Sequence, residues 1–361
     1  MTSNSFGKYF QFHTFGESHG PGIGVIIEGC PSDIYLNINK IQEDLNLRKP
    51  GKLHTSPRNE PDTLEILSGL YKGKTTGTPL TFWVKNQDHK PESYEQIQDI
   101  YRLGHANFTY INKYKNYDPR GGGRASARET IARVIAGSIA KQLLEKEGIF
   151  ILSYLHKAGF IEIDKAPKCY DASLLKIRNS SKFFTLEKDE HFQQLFEKLS
   201  DEGDSVGGIV HVVTSNLPIG LGDPVYEKLP ALLGFGMLSI PGCKGIEFGL
   251  GFSSSSCHGS FFNDTLIKNE DNLTFKTNHS GGLLGGISCG MPLDFKVCFK
   301  PTSSIKKIQT SFNLQQQEQI LDYGKEARHD PCIALRAVIV VEAMTACVLI
   351  DRLIAKKINC F

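Results

Sequence analysis

The 361-residue sequence has no Cys-x-x-Cys pair, no repeat at a fixed period, no low-complexity tract and no linker that would divide it. Its nine cysteines are scattered and odd in number, which argues against a disulfide framework and fits free thiols in a reducing cytoplasm. Nothing at the N-terminus has the pattern of a signal peptide, so a cytoplasmic location is expected. The only long apolar run, Ala337 to Ile350, is broken by Glu342 and is too short to span a bilayer. It should be a buried core helix, and no membrane partner is expected. The net charge of +2 lacks the basic excess that nucleic acid usually demands, although a local basic cluster could still hold a small polyanion. A P-loop is missing too. Gly73-Lys74-Thr75 would need a glycine where Ser68 stands, and Gly69 is one residue too close. The runs on either side, Leu64 to Tyr71 and Pro79 to Val84, read as strands with no helix to follow.

Glycine and arginine are concentrated in one stretch instead, Asp118 to Thr130. Gly121, Gly122 and Gly123 leave the backbone free to let a ligand approach, and Arg120, Arg124 and Arg128 bracket them with permanent cations. Ser126 and Glu129 form a capping box, so a helix is expected to begin there. Ile131, Val134, Ile135, Ile139 and Leu143 continue it at helical spacing until Gly148. A glycine-rich, arginine-studded loop that feeds a helix N-terminus is an anion-binding device.

Other segments carry polar clusters of their own. Phe15-Gly-Glu-Ser-His-Gly20 confines Glu17, Ser18 and His19 in a turn before a buried strand, Ile23 to Ile27. A short helix from Ile41 to Leu47 runs into Arg48-Lys-Pro-Gly-Lys-Leu-His54 and Arg58, able to cradle a phosphate or carboxylate, or to be a solvated basic loop. Tyr94, Ile97 and Tyr101 fall at helical spacing before Arg102-Leu-Gly-His105. Strands are expected at Phe150–Tyr154, Ala158–Ile163, Gly207–Val213 and Leu293–Phe299. Helices are expected over Phe192–Leu199 and from Val225 to Leu238. Ser253 to Thr277 is polar, a hairpin or mobile loop. Lys300-Pro-Thr-Ser-Ser304 gathers a cation and hydroxyls suited to phosphate oxygens, or is simply a polar turn after a strand. Asp330 and Pro331 fit the N-cap and first position of the last helix, Arg328 precedes it, and Arg336 needs a partner if buried. Paired strands with a few long helices favour one compact α/β or α+β unit spanning 1–361 over a doubly wound fold.

Three strings, GESHGPGIGVIIEGCP, GGRASARETIARVIAGSI and RHDPCIALRAVIVVEAM, resemble the signature regions of the chorismate synthase family, and KGIEFGLGF, HSGGLLGGIS and KPTSS extend the likeness along the chain. The resemblance implies an α+β fold in which a helical layer lies between two antiparallel β-sheets (a β-α-β sandwich), assembled as a homotetramer. It implies a lyase that converts 5-enolpyruvylshikimate 3-phosphate to chorismate and phosphate by 1,4-elimination, with reduced FMN and with NADPH as a candidate flavin reductant. By the same likeness His19, His105 and Asp330 would be catalytic. FMN would be held by Arg124, Ala125, Ser126, Pro241, Gly242, Gly285, Lys300, Pro301, Thr302, Ser303, Ser304 and Arg328. Arg48, His54, Arg128 and Arg336 would contact substrate or NADPH, and no metal is expected. The chain departs from the family pattern at Leu103, Asn107, Leu47 and His54. A flavin- or anion-binding protein that has lost turnover is the alternative.

Overall fold

The structure is a computed structural model that describes residues 3–49, 61–87, 99–114, 116, 118–187, 189–269, 272–324 and 330–359. The basic loop carrying His54 and Arg58, the Tyr94–Ile97 part of an expected helix, and Arg328 lie outside the described residues.

Five strands form a first sheet: β1 (Ser5–Phe6), β2 (Gln11–Gly16), β3 (Gly22–Glu28), β4 (Glu65–Ser68) and β5 (Leu80–Lys85), in the order β1-β2-β3-β5-β4. A second sheet contains β6 (Ile151–Ala158), β7 (Ile161–Glu162), β8 (Gly208–Asn216), β9 (Cys243–Phe248) and β10 (Pro292–Phe299), ordered β9-β10-β8-β6-β7. Each pairing within both sheets is antiparallel. The helices are α1 (Ile38–Arg48), α2 (Asn107–Lys113), α3 (Thr130–Glu145), α4 (Ala172–Ser180), α5 (Glu190–Glu202), α6 (Leu229–Leu238), the single turn α7 (Gly259–Phe262) and α8 (Ala334–Asn359). Helices with antiparallel sheets make the class α+β.

The period-two burial of β2, β5 and β10 gives each sheet one apolar face. Both long helices are apolar on more than one face. In α3, Ile131, Ile135 and Ile139 are buried, and so are Ala132, Ala136 and Ala140. In α8 every residue from Ala337 to Ile350 is buried, including Glu342. A helix without a polar face must be covered on several sides. Accordingly α3 packs along α8 and touches β2 and β3, while α8 lies on β6 and β8. The two helices approach closely at Gly137, where an added Cβ would stand 2.3 Å from the Ala343 Cβ. Alanine there would force the helices apart, at a cost of about 1–3 kcal/mol. The end of α8 also holds the start of the chain, since Asp351 Oδ1 accepts from the backbone N–H groups of Lys8, Tyr9 and Phe10 at 2.8, 2.6 and 2.9 Å.

Several boundaries differ from those expected. The two strands read around Phe150 to Ile163 are one long β6 and a short return, β7. Helix α4 was not read from the sequence; Leu174 and Leu175 are only partly buried, too sparse an apolar stripe to stand out. Helix α6 begins at Leu229, four residues later than expected, because Asp223 and Glu227 first close a turn through Asp223 N–H and Glu227 C=O at 3.0 Å. The polar 253–277 segment forms a hairpin, Leu266–Asn269 against Asn272–Phe275. Ser126 caps a short 3-10 turn by accepting from Arg128 N–H at 3.2 Å, and α3 proper starts at Thr130. Glu129 does not complete a capping box; its Oε1 accepts from Thr14 Oγ1 at 2.8 Å and its Oε2 from Arg133 Nε at 2.8 Å. Asp330 is not the N-cap of the last helix, which begins at Ala334. Its carboxylate instead accepts from Arg336 Nη1 at 3.1 Å.

Candidate active site

A cavity of about 520 Å³ is bounded by seven stretches far apart in sequence. His19 follows β2 and Arg48 ends α1. Arg102 to Ala106 lead into α2, the glycine-rich stretch leads into α3, and Ile240 to Lys244 connect α6 to β9. Lys300 and its hydroxyls follow β10, while Asp330, Ile333 and Arg336 stand before and within the start of α8. The volume falls in the range of small-molecule sites, about 300–1,000 Å³.

The glycine run serves the histidine. Gly121 has φ +61°, and a Cβ on it would lie 2.4 Å from His19 Cε1, so only glycine lets the imidazole pack there. Arg102 Nη2 donates to the Gly121 carbonyl at 2.8 Å and holds this segment. His19 is buried, with Nδ1 3.1 Å from the Ser18 hydroxyl.

The cations are crowded. Asp62, with no exposed surface, accepts from Arg48 Nη2 at 2.7 Å and from Arg128 Nη1 at 3.0 Å. Burial, then the Arg336 and Arg128 charges, outweigh Asp62 and pull the Arg48 guanidinium down to about 10. Arg48 Nε and Arg336 Nε are buried and have no hydrogen-bond partner among the described residues. Buried orphan N–H groups in a cation cluster are the complement of an anion. Asp62 itself adopts φ +48°, an uncommon backbone for a residue with a side chain, and so is held in place by its surroundings.

At the other wall, Lys300 Nζ donates to the Gly104 carbonyl and the Ser303 hydroxyl, both at 2.5 Å. Burial and the neighbouring Lys244 charge lower the Lys300 pKa. Thr302 Oγ1 donates to the Asp330 carbonyl at 2.5 Å, tying the hydroxyl loop to the start of α8. His105 Nδ1 accepts from Asn107 N–H at 3.1 Å, which leaves the ring proton on Nε2 in the neutral form. Burial and the Arg102 and Lys300 charges push His105 down to about 3, so it is neutral at physiological pH. Asn107 also accepts from Arg102 N–H at 3.0 Å and donates to Ile100 O at 3.0 Å. The departure from the family pattern at this position therefore keeps a working set of contacts.

Of the residues singled out in the sequence, the cavity brings together His19, His105, Asp330, Arg48, Arg128 and Arg336. Ala125, Ser126, Pro241, Gly242, Lys300, Thr302, Ser303 and Ser304 share it. Pro301 and Gly285 do not line it; Gly285 sits in the turn between Leu283–Leu284 and Ile287–Ser288. Arg124 points elsewhere. Its guanidinium donates to Gly16 O at 3.0 Å, Thr14 O at 3.1 Å and Thr14 Oγ1 at 2.6 Å, bracing the strand that leads to His19. Arg120 is exposed and pairs with Asp118 at 2.7 Å. Asp62, Asn86 and Arg102 were not read as site residues. Each acts by holding another group, and no local pattern announces that. No group of three or more His, Cys, Asp or Glu that could hold a metal ion occurs among the described residues.

The family profile described as "Chorismate synthase" matches residues 10–354. A chorismate synthase of Protochlamydia amoebophila is 50% identical over 99% of this chain and 99% of its own length. One from Parabacteroides distasonis is 42% identical over 98% of each chain. A solved structure titled "Crystal Structure of Chorismate Synthase" superposes with a TM-score of 0.77 at 30% identity, covering 97% of this chain and 93% of that one. With the profile and the relatives spanning nearly its whole length, the chain belongs to the chorismate synthase family.

Proposed function

We propose that this chain is a lyase of the shikimate pathway that converts 5-enolpyruvylshikimate 3-phosphate to chorismate and phosphate, serving aromatic amino acid biosynthesis. The observation that carries the reading is the convergence of Arg48, Arg128 and Arg336, two of them with buried orphan N–H groups, on one cavity with His19. The substrate brings two carboxylates and a phosphate, the anions such a cluster lacks. In the elimination the allylic C–O bond to phosphate breaks, a proton leaves the far end of the allylic system, and the new diene takes up the electrons. The guanidiniums would bind and orient the acid groups and neutralise the departing phosphate, and His19 would hold the proton it takes.

The hydroxyl-rich wall fits reduced FMN. Ala106, Ala125 and Ala127 leave room for a flat ring, and Lys300, Thr302, Ser303 and Ser304 supply a cation and hydroxyls for a phosphate tail. When bound, the cofactor supplies electron density transiently, with no net redox change. His105, neutral with its proton on Nε2, would donate a hydrogen bond to the ring, and Asp330, paired with Arg336, would hold a proton beside it. Arg124, Pro301, Gly285 and Arg328 belong to the proposed cofactor set through the family pattern. His54 belongs in the same way to the set contacting substrate or NADPH.

The finer architecture we propose is a β-α-β sandwich over 1–361 as one unit. It is supported by the contacts of α3 with the first sheet, α8 with the second, and Asp351 with the chain start. Assembly as a homotetramer is supported by α6, which leaves Phe235 and Leu238 exposed. A cytoplasmic location is supported by the eight described cysteines, all unpaired. No helix among the described residues is long and apolar enough to cross a membrane.

The test is to mix the protein anaerobically with chemically reduced FMN and 5-enolpyruvylshikimate 3-phosphate and follow both products. Stoichiometric chorismate and phosphate are expected; FMN binding without product would overturn the reading. A parallel mixture with oxidised FMN and NADPH tests whether the protein reduces its own flavin.

A further inference from the structure

Asn86 directly follows β5 and does not line the cavity, yet its side chain joins two of the cavity's walls. Nδ2 donates to the Gly20 carbonyl at 2.6 Å and to the Glu17 carbonyl at 3.0 Å. Those two carbonyls bracket Ser18 and His19, and the Glu17 carbonyl also accepts from Gly20 N–H at 3.1 Å to close the turn. On its other side Asn86 Oδ1 accepts from Arg128 Nε. The backbone N–H of Asn86 donates to Pro21 O at 3.0 Å. Donor and acceptor ends are therefore both committed, and the amide can face only one way: its NH₂ must meet two carbonyls and its oxygen a guanidinium. The chain of contacts continues from Arg128 through Asp62 to Arg48 at 3.0 and 2.7 Å.

We propose that Asn86 is a positioning residue for the elimination, fixing the His19 turn and the Arg128 guanidinium relative to one another while touching no ligand. The inference rests on reading this cavity as the elimination site. Its physical basis is that a group carried on a glycine-flanked turn has little local restraint. Displacing a reacting group by about 1 Å can cost on the order of 100-fold in rate.

Asn86→Asp separates the two contacts. It has nearly the same shape and keeps an acceptor for Arg128, but it points a carboxylate oxygen at two carbonyls that had donors. The expected result is a kcat lower by on the order of 100-fold, with KM for 5-enolpyruvylshikimate 3-phosphate changed by less than about threefold. Asn86→Ala, which also releases Arg128, should lower kcat and raise KM together. In a His19→Ala background, Asn86→Asp should cost less than about threefold, because the group it displaces is already gone. An equal cost with and without His19, or a KM effect with kcat unchanged, would overturn the proposal. If Asn86→Asp does not fold, Asn86→Ala goes through the same cycle, where an equal cost with and without His19 overturns the proposal. An activity-independent readout separates failure of this inference from failure of the functional reading. With histidine ¹³C-labelled at Cε1, and the His19 resonance assigned by its loss in His19→Ala, the asparagine variant should shift that signal. An unmoved His19 resonance sinks the positioning role even if the wild type is fully active. A shifted resonance in a protein whose wild type yields no chorismate would uphold the clamp and refute the assigned reaction.

Discussion

Two clusters of buried charge flank α8, and burial leaves them in opposite states. Midway along the helix, Glu342 accepts from Lys141 Nζ at 2.9 Å and Ser153 Oγ at 3.0 Å, with Arg178 Nη2 3.1 Å away. Lys141 reaches Asp44 as well, at 2.9 Å. Burial works against the charges of Glu342 and Lys141. Arg178 and Lys141 nevertheless bring Glu342 down to about 2, and Asp44 and Glu342 hold Lys141 above the ordinary lysine value. At the start of the helix the sign reverses. Arg48, His105 and Lys300 are all driven toward their neutral forms, by burial first and by neighbouring cations after it. A buried cluster whose partners overcome desolvation is a structural device. One whose cations remain disfavoured can be completed by an anion, which is what the proposed function asks of this cavity. Arg178 also carries orphan N–H groups, but its guanidinium carbon lies 5.9 Å from the centre of the Phe184 ring, which supplies a cation–π contact in their place.

The contrast can be broken at either cluster. The largest effect is expected from Glu342→Ala, which strands Arg178 and should cost about 3–5 kcal/mol in urea unfolding. A loss below about 1 kcal/mol would remove the structural reading of that cluster. Arg48→Met keeps the aliphatic volume while deleting a disfavoured cation. Turnover should fall by about 10- to 100-fold, the worth of a charged hydrogen bond, and the loss of unfolding free energy should be smaller than for Glu342→Ala because Asp62 keeps Arg128 at 3.0 Å. A destabilisation as large as that of Glu342→Ala would make the two clusters equivalent. Inorganic phosphate at ten times its dissociation constant should stabilise the wild type by about 1.4 kcal/mol in thermal unfolding, and Arg48→Met much less. The same gain in both proteins would place the anion elsewhere.

The smallest effect concerns His105. Its folded pKa, about 3, lies below the ordinary histidine value of 6.5, so between those values the unfolded chain holds the extra proton. Stability should therefore fall as pH drops through that window, and His105→Gln should flatten the slope. Its imidazole resonances should not move between about pH 5 and 8, where an unperturbed histidine titrates. A midpoint near neutrality would show that His105 is a proton donor in its charged form.

Much of this site was legible in the sequence because its chemistry is local. The glycine–arginine stretch has the make-up of an anion site, the Lys300 loop has hydroxyls suited to phosphate, His19 sits between glycines beside a hydroxyl, and all three line one cavity. The roles within those segments were harder to read. Gly121 makes room for His19 and not for a ligand, and Arg124 braces β2 while its sequence neighbours line the cleft. Asp330 looked like a helix cap because Asp-Pro is a common helix start, but tertiary pairing with Arg336 took precedence. Asp62 and Asn86 gave no signal, since their function lies in partners tens of residues away. Of the fold's two long helices, α3 was readable from its apolar periodicity and α8 from the apolar run that only Glu342 interrupts. Helix α4, with a weak stripe, was not.

The most direct test of the contrast is calorimetric titration of 5-enolpyruvylshikimate 3-phosphate into the wild type, Arg48→Met and Lys141→Met. Each variant loses one cation beside α8, a buried one at Arg48 and a partly buried one at Lys141. At least about tenfold weaker binding is expected for Arg48→Met and wild-type affinity for folded Lys141→Met. Equal affinities in all three proteins, or loss confined to Lys141→Met, would contradict that contrast.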